Sequence, residues 1–389
     1  MLRIAVLIAV LTSLASFWPH AGSAHPAYDD PNTAAGWAWL QIRQDKIADF
    51  NERCGKLDPN VETGWDHLCR KIPPQFLVDV LTVPRLQDQL PRHRFRLRGA
   101  LIDGTIDLAN GEIGPEVWID CSRIEGDLIL TYSQWNRPLS FLNSALAGKF
   151  SASGMRSTSS VSISDHDVIG GELNLMSAKI DGTLNMETSS FMAKVRGDSL
   201  NIGKYLLMRD HANFGDEVNL IGAKVGRNLE ISSSSVAKAL TASRITVEGD
   251  LFLRGRPSFR GDVNLTGAKV GGTVAMDSSS FDAALIASEA TVAGDFFVND
   301  HATFHGDVNL VGANIGGTVA MDSSSFDAKL IASRLTVVGS ILMHGKAAFR
   351  GDINLVGSKI DGTLNMETSS FMGNGERRFP KYRQVSAVK

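Results

Sequence analysis

The chain lacks the short signatures that most often mark a catalyst. It has no GxSxG, no CxxC and no HExxH, and no GxGxxG between a strand and a helix. Those spacings build nucleophile elbows, redox or zinc pairs, metalloprotease centres and dinucleotide sites. Cysteine is scarce, with three in 389 residues. Neither sign of charge dominates: 39 Lys and Arg stand against 42 Asp and Glu, a net charge of −3. A protein that neutralises the phosphates of a nucleic acid needs a basic excess, so nucleic acid is not an expected partner. Long apolar runs are missing beyond the first residues, and nothing later approaches the roughly 20 needed to cross a bilayer.

That first run has the form of a secretory signal over residues 1–24. Arg3 supplies the positive charge, Ile4 to Trp18 is apolar, and Ala21-Gly22-Ser23-Ala24 offers a small-residue cleavage site before His25. The expectation is cleavage near Ala24 and a periplasmic or secreted protein. Removing Arg3 with the signal leaves 38 basic against 42 acidic residues, or −4. An oxidising compartment favours a disulfide between Cys54 and Cys69, which lie 15 residues apart. Cys121 is expected to stay unpaired in a turn or polar face.

What the chain has in abundance is repetition. Asn174, Asn219, Asn264, Asn309 and Asn354 are spaced 45 residues apart, inside segments such as DVNLTGAKVGGTV and DVNLVGANIGGTV. A fixed long period signals a repeat architecture. Gly271–Ala283 and Gly316–Ala328 are identical, as are Ile180–Met192 and Ile360–Met372. Within one unit apolar residues fall two apart, as in Val263/Leu265, Ala268/Val270 and Val274/Met276, with Gly, Ser, Asp or Asn between the pairs. A pair two apart lies on one face of a strand, and the intervening residues suit tight turns. Each pair therefore reads as a short strand and a corner. Eight such steps per unit make two square coils, of roughly 20 and 25 residues. Val263, Leu265, Val308 and Leu310 should be buried, with Asn264 and Asn309 facing out or sitting in the coil corner.

The triplets Ala268-Lys269-Val270 and Ala302-Thr303-Phe304 resemble the pentapeptide-repeat family, whose units read Ala-Asp/Asn-Leu-x-x. The resemblance runs loosely from about Phe95 to Phe371. Steps of six, and Val or Phe where the family prefers Ala, depart from it. It implies a right-handed quadrilateral β-helix, mainly β. The family has no single activity: some members bind proteins, and one subgroup mimics DNA for topoisomerases. The near-neutral charge here does not fit that mimicry, and no functional residue is carried over.

Four segments result: the signal (1–24), a helical N-terminal cap (25–92), a β-helix of about a dozen coils (93–372) and a basic tail (373–389). In the cap, Asp30-Pro31 reads as a helix start. Trp37, Leu40, Ile47 and Phe50 share a helical face up to about Cys54, and Gly55 reads as a stop. Short helices are expected near Trp65–Arg70 and Pro74–Leu81. Such a cap would cover strand edges exposed at the end of a β-helix. Thr131–Pro138 breaks the pattern and reads as a protruding loop.

Three polar columns recur. One pairs Asp with His at Asp165/His166, Asp210/His211 and Asp300/His301. Two coils separate equivalent positions, about 9.6 Å at about 4.8 Å per coil, too far for two imidazoles to share a metal ion with bonds of about 2 Å. The second column is acidic, at Glu187, Asp277, Asp322 and Glu367, each followed by a hydroxyl-rich run such as Ser278–Ser280. The third is basic, at Lys179, Lys224, Lys269 and Lys359. No catalytic, metal-ligating or cofactor-binding residue is assigned, and no cofactor. Glu187, Asp277, Asp322, Glu367, Asp210, His211, Asp300 and His301 form the candidate binding face. The expected function is scaffolding through a long polar face, with an envelope protein or an extended glycan as partner. The alternative is a polysaccharide-acting β-helix enzyme of the cell envelope, with one irregular charged cluster. Membrane contact is expected only through the tail, which carries Arg377, Arg378, Lys381, Arg383 and Lys389.

Overall fold

The computed structural model describes residues 28–372 except residue 62. The segments read above as a signal (1–24) and a basic tail (373–389) lie outside these residues. The repeat region is a parallel β-solenoid of about 13 turns. Strands pair in four parallel sheets of 14, 12, 14 and 12 strands, one sheet on each side of the coil. Side one begins with β3 (Arg94–Arg98) and side two with β4 (Leu101–Ile102). Side three begins at Ile106–Asp107 and side four at Glu112–Ile113.

Most strands are only two residues long, because one inward and one outward residue is all that a short side holds between corners. Val263 and Leu265 are buried with Asn264 partly exposed between them, and Val308, Asn309 and Leu310 repeat this arrangement. The Asn is chosen for the corner that follows. Asn264 Oδ1 accepts a hydrogen bond from the Thr266 amide at 2.9 Å, and Asn309 Oδ1 from Val311 at 3.0 Å. This is an Asx turn, which closes the step without drawing on the backbone ladder. Inside, phenylalanines stack one per coil on side two. Phe259, Phe281, Phe304, Phe326, Phe349 and Phe371 run in order with ring centroids 4.7–5.2 Å apart.

The coils are more equal than the sequence suggested. Along side one, Leu206 pairs with Leu229, Leu229 with Leu251 and Leu251 with Val274, steps of 23, 22 and 23 residues. The extra residue sits at the corner between sides one and two. One coil turns there on a single left-handed residue, such as Ser278 (φ 59°); the next uses two, such as Asp300 (φ 53°) and His301 (φ 66°). The corner between sides four and one is tighter. A Cβ at Gly271 would collide with the carbonyl oxygen of Glu248 in the preceding coil, and one at Gly316 with that of Ala293.

The cap differs from expectation in three ways. Asp30 turns the chain by accepting from the Asn32 amide at 2.9 Å, and Thr33 is the N-cap, accepting from Gly36 at 3.0 Å. The helix stops early: α1 (Ala34–Arg43) and α2 (Phe50–Cys54) are separated by the left-handed Asp45 and by β1 (Ala48–Asp49). The buried face of α1 is Ala35, Ala38, Trp39 and Ile42, while Trp37 is only partly buried and meets Phe50 edge-on. No helix forms over Trp65–Arg70, where turns lead into β2 (Lys71–Ile72). The reason is shared: β1 extends side one by pairing with β3, and β2 extends side two by pairing with β4. Sheet pairing overrode helical periodicity at both places. Sides three and four are covered instead by α3 (Pro74–Thr82), as expected from Pro74 onward.

Thr131–Pro138 is not a loop. Gln134–Trp135 is a regular side-four strand paired on both sides. Trp135 is buried and its indole N–H donates to Ser133 Oγ at 2.8 Å. The bulk of Trp135 hid a normal step.

Candidate functional site

The eight residues of the candidate face do come together, along the end of side one and its corner with side two. They are not, however, uniform columns. Residues 45 apart stand two coils apart, and the intervening coil inserts a different residue between them. The acidic column reads, coil by coil, Glu187, Arg209, Ser232, Arg254, Asp277, Asn299, Asp322, His344 and Glu367. Arg209 binds Glu187 and also Glu230, the latter at 2.8 Å. Asp322 faces His344 Nδ1 at 3.2 Å and accepts from the His344 amide at 3.1 Å. Asp277 accepts from the Asn299 amide at 3.3 Å. Burial raises the Asp277 carboxyl above the ordinary range, and Asp300 adds to this while the Asn299 amide and Arg254 oppose it. Much of the acidity is thus neutralised by cations and amides one coil away.

The Asp-His pairs have a backbone explanation. Asp165/His166, Asp210/His211 and Asp300/His301 are the double left-handed corners, where Gly255/Arg256 and Gly345/Lys346 also stand. Asp and His enter the left-handed region more readily than most residues. Between them lie the single corners Thr188, Ser233, Ser278 and Ser323. His166, His211 and His301 are exposed. Among the described residues, no group of three or more His, Cys, Asp or Glu could hold a metal ion.

The first two hydroxyls of each run are spent on the fold. Ser233, Ser278 and Ser323 hydroxyls donate to the carbonyls of Gly255, Asp300 and Gly345 in the next coil, at 2.8–2.9 Å. The next residues, Ser189, Ser234, Ser279 and Ser324, are buried. The third members, Ser190, Ser235, Ser280 and Ser325, stand outward and partly exposed on side two, and Ser258 and Thr303 join Ser235, Ser280 and Ser325 into a row of hydroxyls in consecutive coils. The free Cys121 sits at the same corner, left-handed and partly buried.

One member of the buried row is anomalous. Where neighbouring coils place Ser122, Ser144 and Ser189, the chain has Asp167, with no exposed surface. One carboxylate oxygen accepts from the Ser144 amide at 2.6 Å and the other has no partner. Burial pushes this carboxyl well above its usual range, against the opposing amides of Ser144 and Ser164. A raised native pKa means the folded state binds the proton more tightly than the unfolded chain. Its contribution to stability is full below the unfolded carboxylate pKa and is lost as pH rises through the native one. Asp167→Ser restores the hydroxyl pattern and removes the unpaired oxygen. It is expected to stabilise the protein by about 1–3 kcal/mol at pH 8 and to flatten the fall of stability as pH rises above the ordinary carboxylate range, measured by denaturant unfolding. Destabilisation at pH 8 would show that the carboxylate has a partner worth more than its desolvation.

One feature of side one was overlooked in the sequence. Its outward residues include Leu207, Phe252, Phe297 and Leu342, each partly exposed and 45 residues from the next, with Glu230 standing between the first two and Ala275 and Ala320 buried between the last three. The signal was present: Leu206-Leu207-Met208, Leu251-Phe252-Leu253, Phe296-Phe297-Val298 and Ile341-Leu342-Met343 are apolar throughout, with no polar middle residue. The acidic column flanks this apolar stripe directly, and Arg254 lies over the Phe252 ring, 4.0 Å from its centroid.

No protein-family model, curated protein or solved structure matches this chain.

Proposed function

We propose that this protein is a binding scaffold of the cell envelope, a divergent relative of the pentapeptide-repeat proteins that presents side one of its solenoid to a partner. The observation that carries this is the distribution of chemistry. Polar groups recur once per coil and are compensated by the next coil. A catalytic site needs titratable groups in contrasting environments at one place. The one strongly anomalous carboxyl among the described residues, Asp167, is sealed inside the coil. Export is supported by the signal-like first residues and by the Cys54–Cys69 disulfide, since such bonds persist in oxidising compartments. The pentapeptide-repeat kinship is supported by the square coil and the apolar-polar-apolar step. An envelope protein or an extended glycan remains the partner class, reached through side one and its edge.

If binding is spread over equivalent coils, Asp277→Ala or His301→Ala should weaken capture of the partner from envelope extract by less than tenfold, below about 1.4 kcal/mol. Deleting Gly261–His305 removes one 22- and one 23-residue coil, so all four sheets rejoin in register. The shortened protein should fold, and its binding should fall in a graded way with length. A polysaccharide-degradation screen supplies the opposing outcome. Turnover abolished by a single substitution would replace the scaffold with an enzyme, because losing one acid-base residue typically costs roughly 10²–10⁴ in rate.

A further inference from the structure

The geometry points to the apolar stripe of side one as a docking groove for a proline-rich, basic peptide in the polyproline II conformation, lying parallel to the solenoid axis. This inference rests on the scaffold reading and adds the class of partner. Four ridges, Leu207, Phe252, Phe297 and Leu342, recur every second coil; the trough between the first two is Glu230, paired with Arg209, and those between the last three are Ala275 and Ala320. At about 4.8 Å per coil, adjacent ridges are about 9.6 Å apart. A polyproline II helix repeats every three residues at about 3.1 Å each, or about 9.3 Å. Ligand and stripe then drift by only about 1 Å across three intervals, a span of roughly ten residues. An extended β-strand returns a side chain to one face every roughly 6.6 Å and misses the second ridge by about 3 Å. Proline-rich segments are stiff before binding and dock on aromatic-lined grooves, so little ordering entropy opposes them.

Charge complements the stripe on both edges. Asp277 and Asp322 flank the troughs above Ala275 and Ala320, while Asp250 and Asp295 flank the ridges on the other edge. All four carboxylates are partly exposed. Each has one oxygen held by a backbone amide of the next coil: Asp250 by Thr273 at 2.8 Å, Asp295 by Thr318 at 2.7 Å, Asp277 by Asn299 and Asp322 by His344. Their positions are therefore fixed before a ligand arrives. Of the cations on this stretch, Arg254 is stacked on Phe252 and His344 faces Asp322. An apolar floor between fixed carboxylates selects a ligand that alternates proline with Arg or Lys. A neutral glycan can lay the C–H faces of its rings on Phe252 and Phe297 but brings no cation to the fixed carboxylates.

The test is fluorescence anisotropy on the mature protein at near-physiological salt with three probes. They are a labelled ten-residue Pro-Pro-Arg repeat, a Gly-Ser-Arg repeat of equal length and charge, and a linear β-1,4-linked glucan hexamer. The Pro-Pro-Arg probe is expected to bind at least tenfold more tightly than the other two. Phe297→Ser, at an outward position, should weaken it at least tenfold with thermal unfolding little changed. Ala320→Arg, which fills a trough and reverses its charge, should do the same and serves if Phe297→Ser misfolds. Equal binding of the Gly-Ser-Arg probe, indifference to both variants, or no binding of the Pro-Pro-Arg probe would each overturn the inference. Glucan binding lost in Phe297→Ser would also overturn it while leaving the scaffold reading intact, whereas single-substitution loss of a turnover would remove both.

Discussion

Phe281→Ala is expected to cost about 3–5 kcal/mol, the range for emptying a buried aromatic site. Phe281 is 1 % exposed and lies flat between two rings, 5.0 Å from Phe259 and 4.8 Å from Phe304. Aromatic pairs add about 0.5–1.5 kcal/mol beyond burial, and this substitution breaks two of them. The gap cannot close by collapse. Backbone hydrogen bonds pin the coils at fixed spacing: the Ser280 amide donates to Pro257 at 3.1 Å and the Thr303 amide to Ser279 at 2.8 Å. Because a coil touches only its neighbours, the damage should stay local. Hydrogen exchange should show lost protection in the coils around Phe259, Phe281 and Phe304, with the N-terminal coils unaffected. A loss below about 1 kcal/mol in denaturant unfolding would mean that the stack is not a main source of stability.

Breaking the disulfide should have the second largest effect. Cys54 and Cys69 are joined, with Cα atoms 6.0 Å apart and 15 residues between them in sequence. Loop-closure entropy assigns such a bond about 3 kcal/mol. The bond is one part of a clamp. The Arg70 side chain, 1 % exposed, donates to the carbonyl of Gly55, next to Cys54, and to Gly99 at 2.9 Å. Arg123 reaches into the same loop to Pro59 at 3.0 Å. The clamp holds β1 and β2, which cover the first edges of sides one and two. In Cys54→Ser/Cys69→Ser, or under reductant, the cap should loosen first and expose those edges, which favours edge-to-edge pairing. The expected result is a lower melting transition for the cap, with self-association by light scattering while the β signal of the rod persists. Unchanged melting and a monodisperse species after reduction would show that the helices alone hold the cap.

How much of this was legible depended on the range of the interaction. Alternation within a triplet is local, so Val263-Asn264-Leu265 announced which side chains face in. The strand breaks in the cap were not local. Ala48–Asp49 carries helical periodicity, and it becomes a strand only because Leu97–Arg98 offers an open edge 49 residues later. Trp135 looked like an interruption because its bulk is unusual for a coil interior, and only the packing showed a buried site with Ser133 as its partner.

The candidate face divides in the same way. The sequence by itself determined the 45-residue period, the inward and outward rows, the Cys54–Cys69 pair and the membership of the polar columns. These follow from spacing along the chain, since strand alternation and turn chemistry act over a few residues. The tertiary structure alone decided what each column is. Successive coils of 22 and 23 residues differ in sequence, so the period visible in the text is that of two coils, not one. Stacking them places Arg209 against Glu187, His344 against Asp322, and Ser278 beneath the Asp300 corner. The row that reads as a uniform acid line is therefore a compensated ladder, and beside it the outward face of side one is apolar from Phe252 to Leu342. Backbone hydrogen bonding between coils sets that register, and no pattern within a single unit encodes it.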